Sequence, residues 1–240
     1  MERHLIAGDI HGQYERLREA LDKASFNPDT DILYSTGDIS DRGPGMVLLV
    51  RYLMSLPDYR PVLGNHDIWL RDYLVSDSRP AVWVDGNGGR ETIRDFDSHG
   101  VGRKEKERMG EWLASAPYVR IEDKYIITHG GIPKGWGMKE LESLSKLRMR
   151  LIGYAIAEDP SSSPLWNRSY LQSAMAAEHG ADPKVLDPPL DTDKTIFIGH
   201  TPLDKPFHSG LYHLRAVDTG AGHGRSLTVM DMDTGEFWQA

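Results

Sequence analysis

The sequence predicts an α/β fold with mixed β-sheet, and two observations lead to this expectation. Short apolar runs typical of strands alternate with runs of helical spacing in the first third of the chain. Strand-like runs without intervening helices close its C-terminal end. A strand–helix–strand alternation favours parallel strands joined by right-handed crossovers. We expect one domain over residues 1–240, because 240 residues suffice for one sizeable α/β domain and are few for two.

The first third of the chain gives the alternating pattern. In the first predicted helix, apolar residues recur at helical spacing from Leu17 to Ala24, and Pro57 ends the second helix. The three predicted strands are His4–Gly8, Ile32–Thr36 and Arg60–Leu63, and the helices between and after them are Tyr14–Ala24, Met46–Leu56 and Asp67–Val75.

The second half of the chain is less regular. We expect the loops at residues 76–102 and 158–194 to shape substrate access, with a short helix inside the second loop. A turn at residues 233–235 predicts a C-terminal hairpin. The predicted helices are Arg103–Ala114 and Met138–Ala157, and the predicted strands are Tyr125–Thr128, Thr195–Ile198, Leu214–Val217, Leu227–Asp231 and Glu236–Gln239.

Composition excludes several classes of protein. Without cysteine there is no disulfide framework, thiol nucleophile or cysteine-ligated zinc site. A formal net charge of −8 argues against nucleic acid as the main partner. No run approaches the ~18 apolar residues of a membrane helix, and the first strand begins too early for a signal peptide. We therefore expect a cytoplasmic enzyme that does not bind membranes, and the sequence leaves its oligomeric state open.

One pattern organises the candidate functional residues. Strand after strand ends in glycine beside aspartate, asparagine or histidine, and ligands of open α/β sheets bind beyond the carboxyl ends of the strands. A single turn of this kind is ordinary turn chemistry or a helix cap, whereas five at successive strand ends indicate convergence on one point. The five turns are Gly8-Asp9-Ile10-His11-Gly12, Gly37-Asp38, Gly64-Asn65-His66-Asp67, His129-Gly130-Gly131 and Gly199-His200-Thr201.

These turns supply oxygen and nitrogen donors but no sulfur. Six donors are too many for one tetrahedral zinc site and suit two divalent cations that share a carboxylate. Two cations ~3.5–4 Å apart can hold a hydroxide and clamp the oxygens of an in-line displacement at phosphorus. We expect Mn²⁺ first, with Fe or Zn as alternatives. The six candidate ligands are Asp9, His11, Asp38, Asn65, His129 and His200.

Phosphoryl transfer also needs positive charge and a proton for the leaving group. Arg42 follows the expected bridging ligand Asp38 and can form a bidentate clamp on phosphate. His66 is the candidate general acid, and Asp41 would orient its imidazole. We expect Asn65 to contact the substrate as well.

These motifs resemble the three-part signature of the phosphoprotein phosphatases, which belong to the calcineurin-like metallophosphoesterases. The resemblance covers about residues 4–230 and implies a sandwich of mixed β-sheets flanked by helices. It is carried by Gly8-Asp9-Ile10-His11-Gly12, Gly37-Asp38-Ile39-Ser40-Asp41-Arg42-Gly43 and Gly64-Asn65-His66-Asp67.

The resemblance implies roles for individual residues. It places Asp9, His11 and Asp38 on one cation and supplies Arg42 as the phosphate clamp. Trp166-Asn167-Arg168 resembles the segment that supplies a second phosphate-binding arginine, Arg168, in bacterial and phage lambda-type members. The other cation is implied to be held by Asp38, Asn65, His129 and His200.

Two further segments also match the family. Asp218-Thr219-Gly220-Ala221 resembles its late Asp-Thr-Gly turn, which we interpret as supporting structure. Asn87-Gly88-Gly89 with Thr92 resembles the lambda-type branch, where a turn starting a helix and a substrate contact are equally good interpretations.

One departure keeps the substrate open. Protein phosphatases of this family usually carry glutamate where this chain has Asp67, and aspartate there is familiar from symmetrical diadenosine tetraphosphate hydrolases. That branch often lacks both the aspartate of the Asp41-Arg42 pair and the segment around Arg168. The leading hypothesis is therefore a protein serine/threonine phosphatase that also acts on phosphotyrosine and small phosphoesters. Dinucleotide hydrolysis is the alternative, and a non-catalytic metal-binding module is a third hypothesis.

Overall fold

The computed structural model describes residues 2–147 and 162–240, which form two five-stranded mixed β-sheets flanked by helices. The strands are β1 (His4–Ala7), β2 (Ile32–Ser35), β3 (Tyr59–Pro61), β4 (Val119–Ile121), β5 (Tyr125–Thr128), β6 (Thr195–Ile198), β7 (Phe207–Ser209), β8 (Leu214–Ala216), β9 (Thr228–Asp231) and β10 (Phe237–Gln239). The helices are α1 (Tyr14–Lys23), α2 (Met46–Ser55), α3 (Asn65–Ser76), α4 (Ala81–Val84), α5 (Gly89–Ser98), α6 (Arg103–Ala114), α7 (Met138–Ser145) and α8 (Ser169–Glu178).

The first sheet has the order β10-β9-β1-β2-β3. Strands β1, β2 and β3 are parallel, as the alternating pattern predicts, and β9 pairs antiparallel with β1. The predicted C-terminal hairpin is confirmed, because β10 returns antiparallel along β9. The second sheet has the order β4-β5-β6-β8-β7, with a parallel centre and antiparallel edge strands.

The two sheets pack face to face around a buried apolar layer. Ile6 and Tyr34 project into this layer from the first sheet, and Ile127 and Phe197 project into it from the second. Neighbouring residues along each strand, such as Leu5, point to the opposite face and join the core beneath the helices. The sandwich aligns the carboxyl ends of the central strands of both sheets, which is where the polar turns lie.

The structure corrects part of the predicted element pattern. Residues 76–102 were expected to form a loop, but they contain α4 and α5, whose buried Ile93 and Phe96 lie at helical spacing. The short strands β4 and β7 were missed, because three residues are too few to show alternation. The predicted helix at 138–157 ends at Ser145 within the described residues, and its remainder from residue 148 lies outside them.

The expected short helix in the second loop is confirmed as α8. Residues 158–161 of that loop lie outside the described part of the chain. In the described residues, the longest helices have 12 residues, and none is long and apolar enough to cross a bilayer.

Candidate metal and phosphate site

The polar turns of both sheets converge on one cavity of about 270 Å³. The turns after β1, β2 and β3 contribute from the first sheet, and the turn after β6 contributes from the second. His129, which follows β5, lies fully buried behind the cavity wall. The predicted site residues that line the cavity are Asp9, His11, Asp38, Arg42, Asn65, His66, Arg168 and His200.

Asp38 lies at the centre of this arrangement. Its Oδ2 is 3.7 Å from His11 Nε2 on one side and 3.3 Å from His129 Nε2 on the other. Burial opposes the charged form, but His129 and His66 outweigh burial and hold the pKa of Asp38 well below its usual value. A buried carboxylate that stays charged between two sets of nitrogen donors is suited to bridge two cations.

Two groups of side chains come close enough to hold a cation, and Asp38 belongs to both. One group is Asp38 with His11 and His66, and the other is Asp38 with His129 and His200. In each group the potential donor atoms lie within 4.8 Å of one another. Asn65 joins the second group, because its Oδ1 is 3.0 Å from His129 Nε2.

Asp9 is in the cavity wall but outside both close groups. Its Oδ1 accepts a hydrogen bond of 2.9 Å from Thr36 Oγ1, and its Oδ2 accepts one of 2.9 Å from the backbone N–H of His200. Burial and the neighbouring Asp218 and Asp38 carboxylates raise the pKa of Asp9 well above its usual value. Each carboxylate oxygen retains acceptor capacity, so a cation could share Asp9 with these donors.

The ring orientation of two histidines is fixed from behind. His11 Nδ1 lies 2.7 Å from the carbonyl oxygen of Ser40, and His129 Nδ1 lies 2.8 Å from that of Thr36. A carbonyl oxygen can only accept, so both Nδ1 atoms carry the proton and both Nε2 atoms face the site. Metal-binding histidines are usually held in this way.

His200 gives a direct test of whether the residues fit a cation. Its Nε2 is buried and has no hydrogen-bond partner among the described residues. Burial, with His129 and Arg168, lowers the pKa of His200 to about 2, so the imidazole is neutral. A neutral imidazole nitrogen buried without a partner is costly unless a cation coordinates it. The donor set therefore fits divalent cations.

His66 and Asp41 form the predicted pair. His66 Nδ1 donates a 2.6 Å hydrogen bond to Asp41 Oδ2, and the backbone N–H of His66 donates to Asp38 Oδ1 at 2.9 Å. His66 Nε2 consequently faces the cavity. There it accepts a 3.0 Å hydrogen bond from Arg42 Nη2. The structure thus brings the proposed proton donor and the proposed phosphate clamp into contact.

The other nitrogen of the Arg42 fork also points at imidazoles. Arg42 Nη1 lies 3.1 Å from His11 Nε2 and 3.3 Å from His223 Nε2. Arg168 also lines the cavity, exposed at the start of α8, where its Nη1 donates to Thr201 Oγ1 at 3.0 Å. Both predicted arginines therefore reach the same cavity.

Backbone strain is concentrated at this site. Five residues other than glycine have positive φ angles between 46° and 73° here, a region that side chains disfavour. Strained backbone of this kind is retained where the surrounding structure fixes it, often at functional sites. The five residues are His11, Asp38, Asp41, Arg42 and His200.

Asp67 does not line the cavity. Its side chain is buried behind the turns, where Oδ1 accepts from the backbone N–H of Ile39 and Oδ2 from that of Gly64, both at 2.9 Å. Asp67 ties the turn after β2 to the start of α3. The aspartate at this position was an indicator of substrate in the sequence, and in the structure its side chain holds the backbone of two turns.

One polar side chain of the cavity wall, His223, was not predicted from the sequence. His223 lies on a short 3-10 turn (Ala221–His223) and contacts Arg42. The signal was present as Gly222-His223-Gly224, the same glycine-flanked histidine pattern, but no strand precedes it directly. Asp218, which we interpreted as supporting structure, also lines the cavity, and its Oδ1 accepts from the backbone N–H of Gly220 at 2.8 Å.

Comparison with known proteins identifies the family. The family model described as calcineurin-like phosphoesterase matches residues 3–226. A curated relative from Shewanella putrefaciens, a symmetrical bis(5'-nucleosyl)-tetraphosphatase, is 29% identical over 174 residues, which is 71% of this chain and 58% of the relative. The chain thus spans less than two thirds of that relative's length.

Two solved structures share the fold at 18% identity. A putative diadenosine tetraphosphatase has a TM-score of 0.62, covering 99% of this chain and 92% of its own. The cold-active protein-tyrosine phosphatase of a psychrophilic Shewanella species has a TM-score of 0.66, covering 100% of this chain and 80% of its own.

Proposed function

We propose, because the chain belongs to the calcineurin-like phosphoesterase family, that it hydrolyses dinucleoside tetraphosphates with the help of two divalent cations. The observation that carries the cation part is the position of Asp38 in two adjoining groups of donors. The substrate part follows the name of curated relatives such as the one from Shewanella putrefaciens. The proposal thereby departs from the protein phosphatase hypothesis that the sequence motifs favoured.

The proposed ligands divide into two sets that share Asp38. Asp9 and His11 would hold one cation with Asp38, and Asn65, His129 and His200 would hold the other. When bound, such cations neutralise phosphoryl charge and lower the pKa of water toward neutrality. The oxygen and imidazole donors suit Mn²⁺, Fe or Zn²⁺.

The remaining side chains have separate proposed duties. Arg42 and Arg168 would grip the phosphoryl oxygens from two rims of the cavity, with Asn65 as a further contact. A guanidinium forms paired hydrogen bonds with phosphate, which fix its orientation as well as its charge. His66, held by Asp41 and protonated on Nε2 as well as on Nδ1, would donate its Nε2 proton to the leaving oxygen, as a water oxygen bonds to phosphorus and the phosphorus–oxygen bond to the leaving group breaks.

Hydrolysis of phosphoserine, phosphothreonine or phosphotyrosine in proteins is the second candidate function. It is favoured by the contact of Arg42 with His66 and by the position of Arg168 at the cavity. Arg42 and Arg168 belong to the two motifs, Asp41-Arg42 and Trp166-Asn167-Arg168, that the sequence associates with protein phosphatases. Asp67, which the sequence motifs associated with dinucleotide hydrolases, makes no contact with the cavity, because its carboxylate accepts from backbone N–H groups.

A direct comparison of substrates tests the proposal. The purified chain is supplied with Mn²⁺, and kcat/KM is measured on diadenosine tetraphosphate, a phosphoserine peptide and a phosphotyrosine peptide. We expect kcat/KM to be highest on the dinucleotide, with two molecules of nucleoside diphosphate as the products. Hydrolysis should stop when a chelator is added. A preference of tenfold or more for either peptide would transfer the proposal to the second candidate. Inertness toward all three with cations bound would support the non-catalytic hypothesis.

A further inference from the structure

We propose that Trp83 and Thr92 are positioning residues for the reaction, acting through Asp41 on His66. The inference rests on the proposed role of His66 as general acid. Neither residue lines the cavity, and neither can touch a substrate there. Both bond the Asp41 carboxylate, Thr92 at the oxygen that does not meet His66 and Trp83 at both oxygens.

The Asp41 carboxylate is held by three donors. Thr92 Oγ1 donates to Oδ1 at 2.7 Å, and Trp83 Nε1 lies between the two oxygens, 2.9 Å from Oδ1 and 2.8 Å from Oδ2. His66 Nδ1 completes the set at Oδ2. Asp41, Trp83 and Thr92 are each 0% exposed, so water does not compete for these bonds.

These contacts determine where His66 points. A carboxylate with one hydrogen bond can rotate about its terminal bond, because that torsion has a broad energy minimum. Three donors at fixed angles leave one orientation, in which Oδ2 meets His66 Nδ1. The imidazole is then held with its proton on Nδ1 and with Nε2 toward the cavity. A misplacement of ~1 Å at a reacting group can lower the rate about 100-fold.

The turn between α4 and α5 packs against Trp83, which donates to Asp41, and against the backbone of Arg42, which follows Asp41. A Cβ on Gly88 would lie 2.6 Å from the Arg42 backbone nitrogen, and one on Gly89 would lie 2.5 Å from the Trp83 ring. Gly88 also has a φ angle of 87°, which favours glycine. The Asn87-Gly88-Gly89 turn and Thr92 therefore hold Asp41 in place, and Thr92 does not contact the substrate.

The first test removes one donor at a time. Thr92→Val keeps the shape of the side chain and deletes the hydroxyl, Thr92→Ser restores it, and Trp83→Phe deletes the indole N–H. kcat is measured on phosphate monoesters whose leaving groups range from alkyl alcohols to dinitrophenol. We expect Thr92→Val and Trp83→Phe to lose roughly 10–100-fold on alkyl esters and little on dinitrophenyl phosphate, with KM and metal content unchanged. Thr92→Ser should recover most of the loss.

A control variant separates positioning from general loss of packing. Thr228→Val removes another fully buried hydroxyl. Thr228 lies in β9, and its Oγ1 is 2.7 Å from Thr219 Oγ1. We expect it to lower stability without any dependence on the leaving group. Equal losses on all esters in Thr92→Val, or no recovery in Thr92→Ser, would overturn the inference.

His66→Asn distinguishes this inference from the proposed function. If the loss of kcat in His66→Asn does not depend on the leaving group, His66 is not the general acid. If the loss in His66→Asn depends on the leaving group and the loss in Thr92→Val does not, only the positioning role is wrong. A second readout needs no turnover. The His66 Nδ1 proton should give a slowly exchanging NMR signal in the parent and in Thr92→Ser. In Thr92→Val the signal should broaden or vanish, and an unchanged signal would contradict the inference.

Discussion

At the scale of the residue, the site depends on side chains whose backbone is in an unfavourable conformation. A residue other than glycine in the left-handed region costs roughly 1–2 kcal/mol. Asp38, Asp41 and Arg42 all carry this cost within one turn, where Asp38 and Arg42 line the cavity and Asp41 bonds His66. The hydrogen bonds made by Asp38 and Asp41 oppose the strain. The same contacts that hold the proposed ligands thus hold the turn.

His66 gives the first prediction at this scale. We expect His66→Asn to lower kcat by ~10²–10⁴-fold, the range for a lost general acid, with metal content intact. The loss should shrink on esters of acidic phenols, whose leaving oxygens need no proton. Steady-state kinetics on alkyl and aryl phosphates measure the difference. An equal loss across the series would show that His66 has another role.

Asp38 gives the second prediction. We expect Asp38→Asn to remove cation binding itself, because the substitution takes away the charge shared by both proposed sites. Elemental analysis of the purified variant should find about two cations per chain in the parent and fewer than one in the variant. Asp31→Asn is the matched control, since Asp31 is a buried aspartate paired with Arg3 at the amino end of β2, whereas Asp38 follows its carboxyl end. Full metal content in Asp38→Asn would rule out the bridging role.

At the scale of the element, the ends of strands and the starts of helices place the site. Helix α3 begins at Asn65, so its first turn presents Asn65 and His66 to the cavity directly after β3. This start requires Gly64, because a Cβ there would overlap the carboxylate of Asp38. Close approach of two backbone turns, and not a special φ angle, explains the glycine: the φ angle of Gly64 is −96°.

Two helix starts offer a matched pair of substitutions. Gly64 and Gly102 both precede 12-residue helices in extended conformation, but a Cβ on Gly102 meets nothing within 4 Å. We expect Gly64→Ala to lower the free energy of unfolding by ~1–3 kcal/mol and to weaken cation binding. Gly102→Ala should change stability by only a few tenths of a kcal/mol. Urea denaturation and metal titration measure both effects, and similar losses in the two variants would contradict the packing argument.

Most helices and strands could be predicted from the sequence. Prediction failed for very short elements and for contacts that depend on the tertiary structure. Strands such as Thr195–Ile198 and helices such as Arg103–Ala114 were predicted with their observed bounds, because each is a clear apolar or periodic run. The four-residue α4 and the edge strand β7 carry too few residues to show a period. The brace made by Trp83 and Thr92 could not be predicted either, because it joins residues about 40–50 positions from Asp41 through contacts that only the folded chain creates.

At the scale of the whole molecule, the site lies on the seam between the two sheets. The backbone N–H of His200, from the second sheet, donates to Asp9, from the first. His129 Nδ1, from the second sheet, also donates to the Thr36 carbonyl oxygen of the first sheet at 2.8 Å. The proposed ligands therefore come from both sheets, and a bound cation would link them.

This arrangement predicts that cations stabilise the fold. A ligand that binds only the native state adds RT ln(1 + [L]/Kd), which is ~2.7 kcal/mol at a hundredfold excess over Kd. We expect added Mn²⁺ to raise the Tm of the parent, a chelator to reverse the rise, and Asp38→Asn to show none. Differential scanning calorimetry measures the shift. A parent Tm that ignores Mn²⁺ would argue against a site between the sheets.

The rise in Tm caused by Mn²⁺ should also be larger at higher pH. Burial alone would lower the pKa of His129, but Asp38 and Asp9 outweigh burial and raise it to about 10. A cation must displace that proton, so below pH 10 protons compete with metal, and binding tightens as pH rises. We expect the Mn²⁺-induced rise in Tm to be larger at pH 8 than at pH 6. A smaller rise at pH 8 would show that His129 does not carry the displaced proton.

The seam also fixes when the protein can become competent during its synthesis. Asp9, His11, Asp38 and Asn65 leave the ribosome well before His200 and the strand β9 that flanks β1. A nascent chain of 150 residues therefore holds all three proposed oxygen donors and lacks His200 to complete the second cation site. Assembly of the proposed metal site is then coupled to the synthesis of His200 and β9.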